Sequence, residues 1–579
     1  MAFVRTVKTT SKTGESYQYL RIVESYWDRG KRKHRVIANL GNIEVLRKDI
    51  KQIVNGLLRR AGEKPLVFVD DLNNTADLEY GVGYVASFMW RELGLEELVK
   101  ERLKEKKVKL DYGDWIKMMV VNRLSDPRSK LGIFEWLSSV WWPGHGFDEG
   151  ALETSKEVEE DKKIEIRKRE VMKFYRALDY LLEMKKQIET HLYLRFRDLF
   201  SMEVDLLFYD LTSSYFEGDG PEGLAQLGYS RDHEPGKPQV VIGLILCNGL
   251  PIGHEVFEGS RVDKKTLKEV FSKIKNQYRI RRCIFIGDRG LLSRENLDLL
   301  EKDEDYEGFE SILALRKRRN REVREIVLGG GPLSYLRLRD DLEYTEVAGR
   351  EGLRYILCRN PEIAKDQQKR RREDMKKIEE SLNRLKLKVD SQRRPSLKRM
   401  ILQIEEILSC HHGRRLYGYK VDENKRSFEY FKKEEAIRLE RELDGVYILR
   451  TYEKGLTPEE IIDAYKDLQE VERAFRSLKS PLELRPFFHH REERVRAHVL
   501  ICVLAYTIEK VVERLLRDRG IEFTGQKVFS LFKQMGVAIM KIREESYAYT
   551  SEPTHTQRNI LKALKIPPPP RMIIETNRT

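Results

Sequence analysis

Alternating apolar and polar residues dominate the first 68 residues of the sequence. The segment SYQYLRIVESYW alternates with a period of two, a turn follows at Asp28-Arg29-Gly30-Lys31, and KHRVIANLG alternates again. Two such runs around a short turn that contains glycine are typical of a β-hairpin. We therefore predict a hairpin module over residues 1–68.

A helical period replaces this alternation over residues 69–200. The runs YGVGYVASFMWRELGLEELVKERL and WIKMMVVNRL place apolar residues at i, i+3 and i+4. Five of the six tryptophans fall in this region, which indicates a packed core between helices. We predict a helical domain here.

Short apolar runs between residues 201 and 315 predict a mixed α/β sheet. The runs are EVDLLFYD, QVVIGLILC, PIGHEVF, RCIFIG and ESILAL, and helical patterns lie between the later ones at 264–277 and 292–301. Three strands followed by strand–helix alternation favour a mixed sheet flanked by helices.

The remainder of the chain divides into three further segments. Residues 316–456 combine strand-like pieces with a charged helical stretch at 361–408, which predicts a β-rich insertion carrying a basic helical pair. At Thr457-Pro458-Glu459-Glu460 the sequence is typical of a capped helix start. We predict that residues 457–515 complete the α/β domain and that 516–579 form a C-terminal helical region and tail.

The charge balance suggests a polyanionic partner. Lys and Arg outnumber Asp and Glu by 109 to 95, a net charge of +14, and residues 1–68 alone carry 15 basic against 6 acidic residues. Such an excess favours nucleic acid as the partner. The alternative is a solvated surface rich in both charges. The hairpin module and the helical domain 69–200 are both candidates for DNA binding.

The cysteines and the apolar runs exclude other classes. The five cysteines are scattered without a C-x-x-C pair, which argues against a zinc ribbon and suits a reducing cytoplasm. The first residues lack the apolar core of a secretion signal, and the longest apolar runs are far shorter than the ~20 residues of a membrane span. We expect a cytoplasmic protein without a membrane anchor.

Two aspartates stand where chemistry is expected in an α/β sheet. Asp210 ends the apolar run DLLFYD, and Asp288 ends CIFIGD. If the two strands are parallel neighbours, their ends lie about 4.8 Å apart. Two carboxylates that close repel each other unless a cation lies between them. Oxygen ligands favour Mg²⁺ or Mn²⁺ over zinc.

A third carboxylate lies within the helical pattern at 458–480. Positions 465, 468, 472, 476 and 479 share one helical face, which reads Tyr465, Leu468, Glu472, Arg476 and Lys479. A carboxylate followed by two bases suits a site that handles phosphate. The alternative is an ordinary i,i+4 surface pair worth about 0.3 kcal/mol.

In combination these motifs resemble the DDE transposases of bacterial insertion sequences. The chain is most similar to the insertion-sequence-four superfamily, whose third motif is Y-x2-R-x3-E-x6-K. Tyr465, Glu472 and Lys479 match that motif, whereas Leu468 replaces its arginine and Arg476 offers a similar charge. The segments GYSRDHEPGKPQ and VERAFRSLKSPLELRPFFHHREERVRAH resemble the branch with long chains and a basic N-terminal hairpin.

The resemblance implies a ribonuclease-H-like core whose first and fourth strands are adjacent, with a β-rich insertion before Glu472. It implies that Asp210, Asp288 and Glu472 bind two Mg²⁺ (or Mn²⁺) ions roughly 4 Å apart. It further implies a homodimer that cuts double-stranded DNA at the ends of the element and joins the new 3′-OH to target DNA.

Further side chains are candidates for contacts with the DNA backbone: Tyr465, Arg476, Lys479, Arg289, Arg231 and Lys237. Two alternatives to transposition remain at this point. One is a ribonuclease-H-like nuclease that cuts without strand transfer. The other is a non-catalytic DNA-binding protein derived from a transposase.

Overall fold

A computed structural model describes most of the chain. The described residues are 2–11, 14–64, 66, 72–108, 110–143, 151–152, 158–200, 206–261, 266–280, 283–287, 309–315, 321–329, 333–392, 396–542 and 545–573. They form two compact units. The smaller comprises residues 1–79, 535–553 and 568–579, and the larger comprises 80–534 and 554–567.

Strands and helices are numbered along the chain. The strands are β1 (Ala2–Thr10), β2 (Ser16–Asp28), β3 (Lys31–Asn42), β4 (Leu72–Glu79), β5 (Leu206–Tyr215), β6 (Gln239–Cys247), β7 (Leu250–Glu258), β8 (Cys283–Gly287), β9 (Phe309–Ala314), β10 (Leu336–Arg339), β11 (Leu342–Ala348), β12 (Arg354–Arg359), β13 (Tyr417–Asp422), β14 (Ser427–Lys432), β15 (Val446–Thr451), β16 (Gly536–Ile542), β17 (Glu545–Thr550) and β18 (Met572–Ile573). The helices are α1 (Ile43–Arg60), α2 (Gly81–Glu92), α3 (Leu95–Glu105), α4 (Tyr112–Ser125), α5 (Ile133–Leu137), α6 (Glu160–Glu183), α7 (Lys185–Phe200), α8 (Leu267–Asn276), α9 (Arg321–Gly329), α10 (Pro361–Asp390), α11 (Leu397–Ser409), α12 (Gly413–Leu416), α13 (Glu434–Glu442), α14 (Pro458–Lys466), α15 (Gln469–Lys479), α16 (Glu492–Arg517), α17 (Gly525–Phe532) and α18 (His555–Ala563).

The smaller unit begins with the expected hairpin. Strands β2 and β3 pair antiparallel up to Asp28 and Lys31, and the two turn residues Arg29 and Gly30 both have positive φ. Positive φ at both positions matches the twist of the flanking strands, which is why glycine suits the second one. Strand β1 adds a third strand along β2.

A second sheet in this unit departs from the sequence prediction. Strands β16 and β17 occupy residues for which we predict helix, and they form a sheet in the order β18-β17-β16-β4. Strand β16 pairs with β4, more than 450 residues earlier in the chain. One of its two partner strands is therefore remote in sequence, and local periodicity carries no signal for that pairing.

The larger unit contains the expected helical core. Trp90, Trp115 and Trp136 are all buried between helices, and the Trp142 indole N–H donates to Asp114 at 3.1 Å. The tryptophans of this region thus fill the helical interior. Among the described residues, no helix combines the length and apolar character that crossing a bilayer requires.

A nine-stranded mixed sheet runs through the larger unit in the order β10-β11-β12-β15-β9-β8-β5-β6-β7. The pairs β5–β8 and β8–β9 are parallel, and the other pairs are antiparallel. The mixed α/β class is confirmed. Strands from the predicted insertion extend the same sheet, because β15 pairs directly with β9.

The long basic helical stretch forms the pair α10 and α11. Helix α10 begins at Pro361, and the Asn360 side chain accepts from the backbone N–H groups of Glu362 and Ile363. Apolar side chains of both helices pack together and against the hairpin β13–β14. The charged residues therefore cover the outside of a small separate core.

The helical pattern at 458–480 is divided into two helices, where the sequence predicts one. Helix α14 has the expected capping box between Thr457 and Glu460. After it, the backbone N–H groups of Leu468 and Val471 bond to carbonyls three residues back instead of four. This tightened turn separates α14 from α15, so Tyr465 does not share an uninterrupted helical face with Glu472.

A buried cluster of charges fastens α7 and α8 to strand β7. The Lys273 ammonium lies 2.7 Å from the Glu189 carboxylate and 2.6 Å from that of Glu255, and Lys185 lies 3.1 Å from Glu189. Burial alone would raise the pKa of Glu189, but these two lysines hold that pKa well below its ordinary value. Burial lowers the pKa of the neighbouring His254 to about 4, so this imidazole is neutral at pH 7.

Replacing Lys273 with methionine should lower the free energy of unfolding by about 3–5 kcal/mol, because it leaves buried carboxylates poorly compensated. Glu189 titrates at a lower pH in the folded than in the unfolded protein. Its stabilisation is thus present above the unfolded pKa of about 4.3 and is lost as the pH falls through the folded value. K273M should weaken that acid dependence.

Chemical denaturation at pH 7 and at pH 4 measures both effects. The control is K268M, on the exposed side of the same helix. Equal stability of K273M and K268M at pH 7 would contradict the structural role of this cluster.

Candidate functional site

Asp210 lies in the middle of strand β5, between the buried Tyr209 and Leu211, and not at the strand end that the sequence predicts. The strand continues to Tyr215 because it stays paired with β6 beyond the apolar run. The side chain of Asp210 is partly buried, and one carboxylate oxygen accepts the backbone N–H of Leu211 at 2.8 Å. Strands β6 and β8 flank β5 on its two edges. The position of Asp210 is therefore fixed by a sheet that continues on both sides.

The neighbouring parallel strand, β8, leads toward the second predicted carboxylate. Tyr209 of β5 pairs with Gly287, the last residue of β8. Asp288 and Arg289 follow Gly287 in the sequence and lie outside the described residues. Within the described part of the chain, no three metal-ligating side chains converge.

The sheet register identifies which strand residues share the face of Asp210. Phe208 pairs with Ile286, Ile286 with Ile312, and Ile312 with Thr451. Paired residues project to the same face, and residues two apart along a strand do as well. Asp210 is two residues from Phe208, so it lies on the face that also carries Thr451.

Helices α14 and α15 cross this same face. Tyr447 is four residues from Thr451 on β15 and therefore projects to the same side as Asp210. The ring of Tyr465 in α14 stacks on Tyr447, with centroids 5.9 Å apart. Strand β15 is three strands from β5, so Tyr465 lies about 14 Å across the sheet from Asp210's strand.

Helix α15 continues alongside β5. Near its start, Asp467 and Glu470 line a cleft together with Leu206 and Phe208 of β5. At its end, the Lys479 ammonium lies 2.8 Å from Asp232, which belongs to the loop after β5. Helix and strand thus run in the same direction, and the intervening helical turn passes beside Asp210.

Glu472 lies on that intervening turn. The buried side of α15 consists of Val471, Ala474, Phe475 and Leu478, whereas Glu472 and Arg476 are exposed. A carboxylate on the exposed side is open to an ion or to DNA. Glu472 is thus an exposed residue of the helix that contacts the strand of Asp210.

The basic candidates of the β5–β6 loop lie beyond the end of β5. The backbone N–H of Arg231 donates to the Ser213 hydroxyl at 2.8 Å. Lys237 lies 2.8 Å from Glu217 and 4.5 Å from the centre of the Tyr215 ring. These contacts tie the loop to the strand that carries Asp210.

Two residues that the sequence prediction left out belong to this region. Asp232 accepts from Lys479 and also lies 2.7 Å from Arg485, whose guanidinium lies 6.0 Å from the centre of the Tyr215 ring. Both residues fall within the two segments that resemble the long-chain branch. The sequence alone does not indicate that these segments meet.

Two protein families match the sequence. Residues 4–69 match the N-terminal domain of IS1634 family transposases, and residues 206–508, slightly more than half of the chain, match the transposase DDE domain. No curated protein is significantly similar to the chain. Among solved structures, the chain is similar to one from the cryo-EM structure of the piggyBac transposase synaptic complex with hairpin DNA. That match has 10% identity and a TM-score of 0.38, and it covers 78% of this chain and 79% of that one.

Replacing Gly243 with alanine should disturb the strand that carries Asp210. Gly243 pairs with Leu211, and a Cβ at this position would meet the Tyr209 hydroxyl at 2.5 Å and its ring at 2.7 Å. Such overpacking should cost about 1–3 kcal/mol of unfolding free energy, measured by chemical denaturation.

The matched control is G329A, at the end of α9, where an added Cβ meets nothing within 4 Å. A G243A protein as stable as the control would mean that Tyr209 moves aside at no cost.

Proposed function

This chain belongs to the DDE transposase family, and we propose that Asp210, Asp288 and Glu472 are its three catalytic carboxylates. Members of this family cut DNA and transfer the cut strand. The observation that carries the assignment is the parallel pairing of β5 with β8, which fixes the strand of Asp210 against the strand that leads into Asp288.

Covalent geometry supports the proximity of the two aspartates. Tyr209 pairs with Gly287, and Asp210 and Asp288 are the next residues on the two chains. Neighbouring strands are about 4.8 Å apart, and successive Cα atoms are 3.8 Å apart. If Asp288 continues the direction of β8, its carboxylate and that of Asp210 come within reach of a shared ion.

The path of α15 supports Glu472 as the third carboxylate. From Glu470 to Lys479 the helix rises about 14 Å, and from Phe208 to Ser213 the strand advances about 17 Å. The two elements are matched at both ends, which supports Glu472 as a neighbour of Asp210 on the same side of the sheet.

The strand order supports a ribonuclease-H-like core. Counting from β5, the first five strands of the α/β domain are β5 to β9, and the first and fourth of them are adjacent and parallel. We assign this core to residues 201–315 and 457–515, interrupted by the insertion at 316–456. The remaining proposed domains are the hairpin module 1–68, the helical domain 69–200 and the C-terminal region 516–579.

The proposed carboxylates suit Mg²⁺ or Mn²⁺, because all of them offer oxygen ligands and Glu472 is exposed. Two such ions, when bound by Asp210, Asp288 and Glu472, supply an activated water and neutralise charge on the phosphate. The partly buried Asp210 holds its carboxylate in one orientation through its bond to Leu211. Loss of one carboxylate therefore removes charge stabilisation but leaves the DNA-binding surface.

Basic side chains near the end of β5 bind the DNA backbone in this proposal. Arg476 is exposed one turn beyond Glu472, and Lys479 lies at the end of the same helix. Arg231 and Lys237 extend this surface along the β5–β6 loop, and Arg289 follows the second aspartate. Tyr465 stacks on Tyr447 of β15, three strands away from β5.

Of the two candidates for reading the DNA ends, the basic hairpin module is better suited than the helical domain 69–200. It corresponds to the family-matched residues 4–69 and exposes Trp27 (75%) beside arginine and lysine side chains on β3. Exposed aromatic and basic side chains on a β-ribbon suit contacts with a DNA groove. Pairing of two element ends requires two copies of the chain, so we propose a homodimer on double-stranded DNA.

D210N, D288N and E472Q should each reduce cleavage of element-end DNA by about 10³-fold or more, while DNA affinity changes by only a few-fold. Each amide keeps the shape of the side chain but removes a charged ligand. A gel assay of nicking and strand transfer measures the first effect, and fluorescence anisotropy measures the second.

D219N in the exposed loop after β5 and E373Q on exposed α10 are the matched controls and should cleave normally. Near-normal cleavage by D210N would overturn the catalytic assignment. Cleavage without joining by the wild type would instead identify a nuclease, and neither activity would identify a non-catalytic DNA-binding protein.

Removal of divalent ions should abolish cleavage and joining. A chelator should leave the binding of end DNA within a few-fold of its original value, because the basic surface does not depend on the ions. Added Mg²⁺ or Mn²⁺ should restore cleavage. Full cleavage in excess chelator would exclude the metal-dependent chemistry.

A further inference from the structure

We propose that Asp232 is a positioning residue that holds Lys479 and Arg485 as a prearranged pair of cations for a DNA phosphate near Asp210. This inference rests on the proposed function of the neighbouring carboxylates. It assigns to the β5–β6 loop a role in orienting the cut strand, and it identifies Arg485 as a further DNA-binding residue.

Asp232 joins two elements that are remote in sequence. A single oxygen of its carboxylate accepts from both Lys479, at 2.8 Å, and Arg485, at 2.7 Å. The side chain of Asp232 is 3% exposed, that of Lys479 13% and that of Arg485 33%. The carboxylate therefore lies behind the two cations, and Arg485 is the one that reaches solvent.

Positive charge exceeds negative charge in the cluster of Asp232, Lys479 and Arg485. One carboxylate faces two cations, and Arg231 lies next to it in the chain. The second oxygen of Asp232 is buried and has no hydrogen-bond partner among the described residues. A buried polar atom without a partner costs free energy, and such costs are concentrated at functional sites. The surplus positive charge, exposed at Arg485, suits a phosphate.

Asp232 and Arg485 are held in place relative to the strand of Asp210. The loop of Asp232 is tied to β5 by the bond from the Arg231 backbone to Ser213. The segment of Arg485 is tied to the same strand end, because the Phe487 N–H donates to Tyr215 at 3.0 Å and the Phe487 carbonyl accepts from Glu217 at 3.0 Å. The loop of Asp232 and the segment of Arg485 are thus both anchored to residues that follow Asp210 by three to seven positions in the chain.

The ionisation of Lys479 depends on this arrangement. Burial lowers its pKa, the hydrogen bond and charge of Asp232 oppose that shift, and Arg485 and Arg231 lower the pKa further. Removing the Asp232 charge should therefore lower the pKa of Lys479 below its value in the wild type. A residue that only stabilised the fold would not move a protonation equilibrium at this position.

The test compares wild type with D232N, D232E and K479Q, using Mg²⁺ and a labelled DNA duplex carrying the element end. For D232N we expect a fall in kcat of about tenfold or more and a change in KM for DNA of threefold or less, as expected for misplaced cations. The alkaline limb of its pH–rate profile should move to lower pH. D232E should recover part of the activity, and D232N/K479Q should be no slower than K479Q alone.

The matched control is E269Q, which breaks the ion pair between Arg261 and Glu269 elsewhere in the unit and should leave kcat unchanged. If D232N does not fold, R485Q replaces it, because that variant keeps the buried pair of Asp232 with Lys479 and should still lower kcat. Wild-type kcat in folded D232N or in R485Q would overturn the proposal, as would independent, multiplicative losses in D232N and K479Q. If D210N also cleaves normally, the proposed catalytic site fails; if D210N is inactive, only the role of Asp232 fails.

Discussion

The parallel hydrogen-bonded ladder between β5 and β8 is the constraint on which the rest of the larger unit depends. Four consecutive residue pairs, from Leu206–Ile284 to Tyr209–Gly287, set the register between two strands that lie nearly 80 residues apart in the sequence. Parallel neighbours need a crossover connection, and here β6, β7 and α8 supply it. A shift of one residue in this register would turn the side chain of Asp210 to the opposite face.

Much of this arrangement could be predicted from the sequence, because local patterns determine it. Apolar runs identified β5 to β9, and the Thr457–Glu460 capping box identified the start of α14. The turn that separates α14 from α15 was missed, since helical periodicity continues through Asp467 and Leu468. Pairing between β4 and β16 was also missed, because the partners are separated by most of the chain.

The candidate site also combines residues that the sequence predicts with contacts that it does not predict. Asp210 and Asp288 follow from apolar runs that each end in an aspartate, and Glu472 follows from a motif, so all three rest on local signals. The contact of Asp232 with Lys479 and Arg485 joins a loop to a helix more than 240 residues later. No spacing rule predicts such an ion pair, because it depends on how two segments pack. Buried charges such as Glu189 and Asp232 accordingly mark the places where the folded chain adds information to the sequence.

The chain that forms the helical pair and its hairpin leaves the sheet and returns to it at neighbouring strand ends. Strands β12 and β15 are adjacent antiparallel neighbours, Arg359 pairs with Val446, and the Asn360 N–H donates to the Gly445 carbonyl at 3.0 Å. Residues 361–444 therefore leave and re-enter the sheet at one point, as an oversized loop of a β-hairpin. Topology would allow a tight two-residue turn in their place. Excision of the whole insertion, residues 316–456, would also remove β15. Strand β9 would then become an exposed sheet edge that is open to pairing with a strand of another molecule.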